Sequence, residues 1–135
     1  MTEINELYKC NVCGNIVEIV NKGFGQLVCC SVPMTKIETQ TTEETLGEKH
    51  LPILVKEDEK YLIKVGKIEH PMEEAHHIMF IEAISKDKKY LKRVYLKAGD
   101  KPELDPECKC FNLDARELCN LHGLFEAPLT KEEKP

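Results

Sequence analysis

The tightest constraint on this chain is the crowding of cysteines into its first 30 residues. The spacing is Cys10-x2-Cys13, fifteen further residues, then the adjacent pair Cys29-Cys30. A segment this short buries little apolar surface; below about 40 residues a domain usually needs a metal, disulfides or a partner chain. The first nine residues are polar and carry no apolar signal-peptide core, and the total of seven cysteines is odd. Clustered cysteines in such a chain point to metal binding or redox work more than to a disulfide framework. A CxxC loop places two thiolates on one metal, and four thiolates in a tetrahedron suit zinc or iron. The residues by themselves leave that choice open. Neighbouring side chains on a strand point to opposite faces, so Cys29 and Cys30 reach one metal only if the backbone bends sharply between them. Gly14, Gly23 and Gly25 mark turns between short strands.

The rest of the chain has a different character. All five histidines (His50, His70, His76, His77 and His122) follow residue 49, together with Cys108, Cys110 and Cys119. The polar, Thr-rich run TQTTEET separates the halves and reads as a linker, with a boundary near residues 37–42. Beyond it come LPILV and YLIKV around the polar turn KEDEK, then HIMFIEAI and YLKRVYL around SKDKK, then ECKCFNL. Short runs of Ile, Val, Leu and Tyr at hairpin spacing, with no long helical period, predict an all-β sandwich or barrel. The closing APLTKEEKP is expected to fray. At 41% hydrophobic and 32% charged, the chain is expected to fold as a soluble globular protein. A net charge of -5 argues against a nucleic-acid binder. No apolar run approaches the roughly 18 residues of a membrane span, and the cytoplasm is the expected compartment.

A second metal site is suggested by EKH (48–50), HPMEEAH (70–76) and CNLHG (119–123). Imidazole and thiolate are both good ligands for first-row metals, and Cys119-x2-His122 is compact enough to grip one ion from a single loop. His76 and His77 would face opposite ways on a strand, so one metal should take only one of them. Cys108 and Cys110 alternate along a candidate strand and read as ordinary thiols.

The segment YKCNVCGNIVEIV…GQLVCCSVPM resembles the desulforedoxin-type module of desulfoferrodoxins, and the three His-bearing segments resemble the active-site motifs of superoxide reductases. Taken together, residues 1–127 resemble the two-iron superoxide reductase, or desulfoferrodoxin, family. The resemblance implies a cysteine-ligated iron module over residues 1–37, an immunoglobulin-like β-sandwich over 38–127 and a flexible tail over 128–135. It implies one iron on Cys10, Cys13, Cys29 and Cys30. It implies a second, catalytic iron with His50, His70, His76 and His122 in a plane and Cys119 axial. The family spacing selects His76 over His77, although a Tyr commonly stands where this chain has His77. The implied reaction is superoxide plus one electron and two protons to hydrogen peroxide. Lys49 would attract the anion and support the departing hydroperoxide, while Glu48 would be the carboxylate able to occupy the open position of ferric iron. A rubredoxin is the implied electron donor and a homodimer the implied assembly. Two rivals stand beside this reading: an iron protein that only carries electrons, and a zinc-stabilised interaction module.

Overall fold

The structure, a computed structural model, describes residues 1–41, 51–57, 60–65, 71–107 and 113–129. It divides into two compact units, Met1–Glu38 and Thr39–Pro135. Every regular element among the described residues is a strand.

In the first unit, β1 (Leu7–Lys9) pairs antiparallel with both β2 (Ile16–Glu18) and β5 (Thr35–Lys36). A separate two-stranded hairpin joins β3 (Val28–Cys29) to β4 (Val32–Pro33). Its apolar interior is small, with Leu7, Cys10 and Ile19 buried. Val12, Val20, Phe24 and Val28 remain exposed. A unit of this size with so small an interior usually needs a metal, disulfides or a partner chain to hold its fold. A cross-link through the cysteines is therefore what gives this unit its stability.

The second unit is an immunoglobulin-like β-sandwich. One sheet has the order β10-β9-β12-β13-β6, formed by β6 (Thr39–Gln40), β9 (Ile78–Ser85), β10 (Leu91–Tyr95), β12 (Leu113–Cys119) and β13 (Gly123–Leu129). The other has the order β11-β8-β7, formed by β7 (Pro52–Glu57), β8 (Lys60–Val65) and β11 (Glu103–Leu104). Ile63, Val65, Leu104, Ile81, Ala83, Leu113, Ala115, Cys119 and Leu129 form one buried cluster between them. The other face of the larger sheet carries a row of charges. By register, Arg93 on β10 lies opposite Glu82 on β9, Glu82 opposite Arg116 on β12, and Arg116 opposite Glu126 on β13.

Three sequence expectations change here. The linker run TQTTEET begins with a strand, since β6 runs parallel to β13 through Thr39–Leu124 and Gln40–Phe125. Ala127, Pro128 and Leu129 were expected in a frayed tail, yet they pair with Ala115, Asp114 and Leu113. The reason is burial, because Leu129 caps the sandwich core. The central strand β12 was not foreseen: LDARELC carries charges at Asp114, Arg116 and Glu117, which mask an alternation that tertiary pairing satisfies. Of the expected strand 107–113, residues 108–112 lie outside the described residues, and with them Cys108 and Cys110.

Candidate metal centres

The first centre grows from two turns. β1 ends at Lys9, and Cys10 opens a tight loop in which Gly14 N–H donates to the Cys10 carbonyl at 2.9 Å and Cys10 N–H to the Asn15 carbonyl at 2.9 Å. Gly14 sits at φ +88, a left-handed conformation that glycine adopts without steric penalty. The N–H groups of Val12 and Cys13 both point at the Cys10 sulfur, at 3.4 Å each, and that of Asn15 points at the Cys13 sulfur at 3.5 Å.

The second pair comes from the β3–β4 hairpin, where Cys29 lies opposite Val32 and only Cys30 and Ser31 intervene. Both have positive φ, +55 and +65, the pattern of the two-residue I′ hairpin turn. This is the sharp bend the adjacent cysteines require. Left-handed non-glycine residues cost about 1–2 kcal/mol each, a cost that common metal ligation offsets.

The sulfurs of Cys10, Cys13, Cys29 and Cys30 all lie within 4.8 Å of one another. Cys13 and Cys29 are 3.6 Å apart, and Cys29 and Cys30 4.0 Å. Metal–sulfur bonds of about 2.3 Å in a tetrahedron give sulfur–sulfur edges of about 3.8 Å, so the donor set fits a single tetrahedral ion. Charge points the same way. The N–H groups of Cys13 and Val12 pull the Cys10 thiol down to about 6. Its neighbours Cys10 and Cys13 push Cys29 up to about 12, and Cys30 rises chiefly through Cys13. Four thiols so close cannot all ionise unless a cation lies between them.

The second centre sits at one end of the larger sheet. Cys119 closes β12 and pairs with Gly123 at the start of β13, leaving a three-residue connection, Asn120, Leu121 and His122. Gly123 has φ +98, and a Cβ there would stand 3.1 Å from Gln40 Nε2. A three-residue hairpin loop followed by a left-handed glycine is a common connection, and it folds His122 back toward Cys119. His122 Nδ1 lies 3.9 Å from the Cys119 sulfur. Gln40 Nε2 donates to the His122 carbonyl at 2.8 Å and fixes the return of the loop.

His76 comes from a separate turn. Glu73 and His76 exchange backbone hydrogen bonds of 2.9 and 3.0 Å, and the His76 ring meets that of His122 edge-on at 5.0 Å between centroids. His76, Cys119 and His122 present donor atoms within 4.8 Å of one another. Strand alternation does not distinguish His76 from His77, because β9 begins only at Ile78 and both histidines precede it. The turn makes the distinction: His77 is not in the donor cluster, and its Nδ1 lies 3.1 Å from the Glu73 carbonyl. A register shift near Leu118 and Cys119, where Cys119 lies opposite Ile78 after Leu118 lies opposite Phe80, bends the sheet beside the cluster. Bulges are frequent next to functional sites for this reason.

Cys119 is buried, and that burial pushes its thiol up; the N–H groups of Leu121 and His122 bond the sulfur and pull the other way. Two residues earlier on β12, Glu117 is fully buried, and its carboxylate oxygens find no hydrogen-bond partner among the described residues. Burial raises that carboxyl to about 9. Glu117, Gln40 and Asn120 are the residues of this region that sequence reasoning passed over. Asn120 alone left a signal, lying between two candidate ligands in CNLHG. Glu48, Lys49, His50 and His70 lie outside the described residues.

Comparison with known proteins agrees across nearly the whole chain. Residues 2–37 match the family model of the desulfoferrodoxin N-terminal domain, and residues 42–128 that of desulfoferrodoxin. A desulfoferrodoxin homolog from Archaeoglobus fulgidus is 47% identical over 127 residues, covering 94% of this chain and 99% of its own. A superoxide reductase from Pyrococcus abyssi is 36% identical over 97 residues, covering 59% of this chain and 84% of its own. The fold is shared with the crystal structure of the superoxide reductase from Treponema pallidum, at a TM-score of 0.67 and 22% identity, covering 93% of this chain and 98% of that one. The cofactors are accordingly two iron ions per chain: a four-thiolate set suits one, and a mixed imidazole–thiolate set suits the other. With both domain models matched in order over a two-unit, all-β chain that carries these two donor clusters, the protein belongs to the desulfoferrodoxin family.

Proposed function

We propose that this protein is a superoxide reductase, converting superoxide, one electron and two protons into hydrogen peroxide. The observation that carries the reading is the convergence of His76, Cys119 and His122 at one end of the sandwich, all within 4.8 Å. In this reading His50 and His70 complete the ligand set of the second iron, and Cys10, Cys13, Cys29 and Cys30 hold the first. The iron module is then Met1–Glu38, and the sandwich domain runs from Thr39 through the end of β13 at Leu129.

When bound, the second iron supplies the electron that superoxide takes up. The chain's own groups do the rest. Cys119 would give that iron a soft, electron-rich sulfur, and electron donation of the kind a thiolate also supplies to haem iron would here favour release of the product. The N–H groups of Leu121 and His122, directed at that sulfur, moderate the donation. Lys49, next to His50 in sequence, supplies the local positive charge that draws in an anion against a net charge of -5. That contrast is workable because salt screens charges beyond about 8–10 Å. Glu48 would be the carboxylate able to take the open position once product has left. Electrons arrive from a rubredoxin-type donor, and the protein works as a cytoplasmic homodimer.

The deciding experiment mixes the reduced, iron-loaded protein with superoxide and measures the peroxide formed and the dioxygen evolved. One peroxide per superoxide, with no dioxygen, is expected. Cys119→Ser should lose the thiolate absorption of the second iron and most of the rate. A wild-type protein that leaves superoxide unreacted, and whose second iron ignores azide, would instead be an electron carrier.

A further inference from the structure

The two segments that supply the described donors of the second centre are far apart in sequence, and one side chain ties them together. Asn120 follows Cys119 directly and leads into His122. Its Oδ1 accepts the His77 N–H at 2.9 Å, and its Nδ2 donates to the Ala75 carbonyl at 3.1 Å. Its own backbone N–H donates to the His77 carbonyl at 3.1 Å. All three bonds therefore go to the two residues that flank His76. The orientation of the amide is not arbitrary, since a backbone N–H can only donate and a backbone carbonyl can only accept.

Position in the sheet explains why such a tie is useful. The β9–β12 ladder ends with Cys119 opposite Ile78, immediately after its register shift. Beyond that pair regular pairing no longer holds the two chains at a fixed distance. Asn120 extends the connection past the end of the ladder. The His76 turn is internally closed by its exchange with Glu73, so it moves as a small unit whose place is set at Ala75 and His77.

We propose that Asn120 is a positioning residue of the second iron centre, holding the His76 turn at ligating distance from the Cys119–His122 hairpin. This rests on the reading of His76, Cys119 and His122 as ligands of one iron. Groups that orient metal ligands without touching the metal typically change affinity by about 10- to 100-fold when removed. Because Asn120 is exposed, its truncation opens no core cavity, and the sandwich should remain folded.

The test uses the full-length, iron-loaded protein. Loss of the second iron to a ferrous chelator is followed by that iron's own absorption, and amide exchange is read by mass spectrometry on the segment around His77. Asn120→Ala should speed iron loss about 10- to 100-fold, raise exchange at His77 and leave the first iron's spectrum unchanged. Asn120→Asp keeps an acceptor for the His77 N–H but sets a carboxylate oxygen against the Ala75 carbonyl. It should retain protection at His77 and still release iron faster than wild type. Lys89→Ala, at the far end of the β9–β10 hairpin, should release iron at the wild-type rate. If wild type holds the second iron and Asn120→Ala loses it no faster, the positioning role is wrong while the functional reading stands. A wild-type protein with no second iron overturns both.

Discussion

At the scale of single residues, backbone conformation does much of the work. Cys30 and Ser31 occupy left-handed φ values that non-glycine residues avoid, and only that bend lets adjacent cysteines serve one ion. Gly123 serves the other centre, where its φ of +98 and the nearby Gln40 amide leave little room for a side chain. The charge proposed for Lys49 belongs to this scale too. Local fields raise encounter rates of charged substrates by about 10- to 1000-fold. If Lys49 supplies that field, Lys49→Ala should slow the reaction of the reduced protein with superoxide by about 10-fold and flatten its dependence on salt. Lys49→Arg should keep most of the rate. Pulse radiolysis at several ionic strengths reads both, and an unchanged salt slope in Lys49→Ala would leave this lysine an ordinary surface charge.

At the scale of elements, the larger sheet is tied together by charge as well as by its ladders. Glu82 is fully buried at its centre. Arg93 Nε donates to its Oε1 at 2.7 Å, and Arg116 Nε to its Oε2 at 2.5 Å, so each oxygen of the carboxylate faces one guanidinium. Arg93 also lies over the Phe80 ring, 5.1 Å from its centroid. The row thus joins β10, β9 and β12, the strand that ends in Cys119. Removing one member of a buried ion pair leaves an uncompensated charge, at a cost of about 3–5 kcal/mol. Glu82→Gln should therefore lower the urea midpoint of the sandwich domain by a corresponding amount. Far-ultraviolet circular dichroism during urea titration measures this. A midpoint within error of wild type would mean the row contributes nothing net.

At the scale of the whole molecule, the protein is two units with separate means of stability. The first depends on its cysteines because its apolar interior is small. The second has a continuous core between two sheets and carries its donors at one end of a sheet. Each iron should therefore respond on its own to substitution. Cys13→Ser should disturb or empty the first centre, yet leave superoxide reduction with a direct chemical reductant within about two- to threefold of wild type, the scatter usual for such comparisons. Complete loss of activity in a variant that still holds its second iron would show that the two centres act as one.

The donor chemistry was legible in local spacing. Four clustered cysteines in a segment too short for a core, and Cys119-x2-His122 on one short loop, are local facts, and local spacing is what a sequence displays directly. It also displayed the β character of the hairpins around KEDEK and SKDKK, where turn residues separate apolar runs. His76 came next to Cys119 and His122 through tertiary structure alone, because the turn that carries it has no regular period and is tied to the Cys119–His122 hairpin by Asn120 beyond the end of the β9–β12 ladder. Strand β12 was hidden for a related reason: its charged residues pair across the sheet with partners remote in sequence, as Arg116 does with Glu82. Gln40 and Asn120 read as an ordinary linker residue and a loop residue. Their importance lies in the carbonyls and N–H groups they meet, His122 for one and Ala75 and His77 for the other, and those meetings exist only once the sheet has formed.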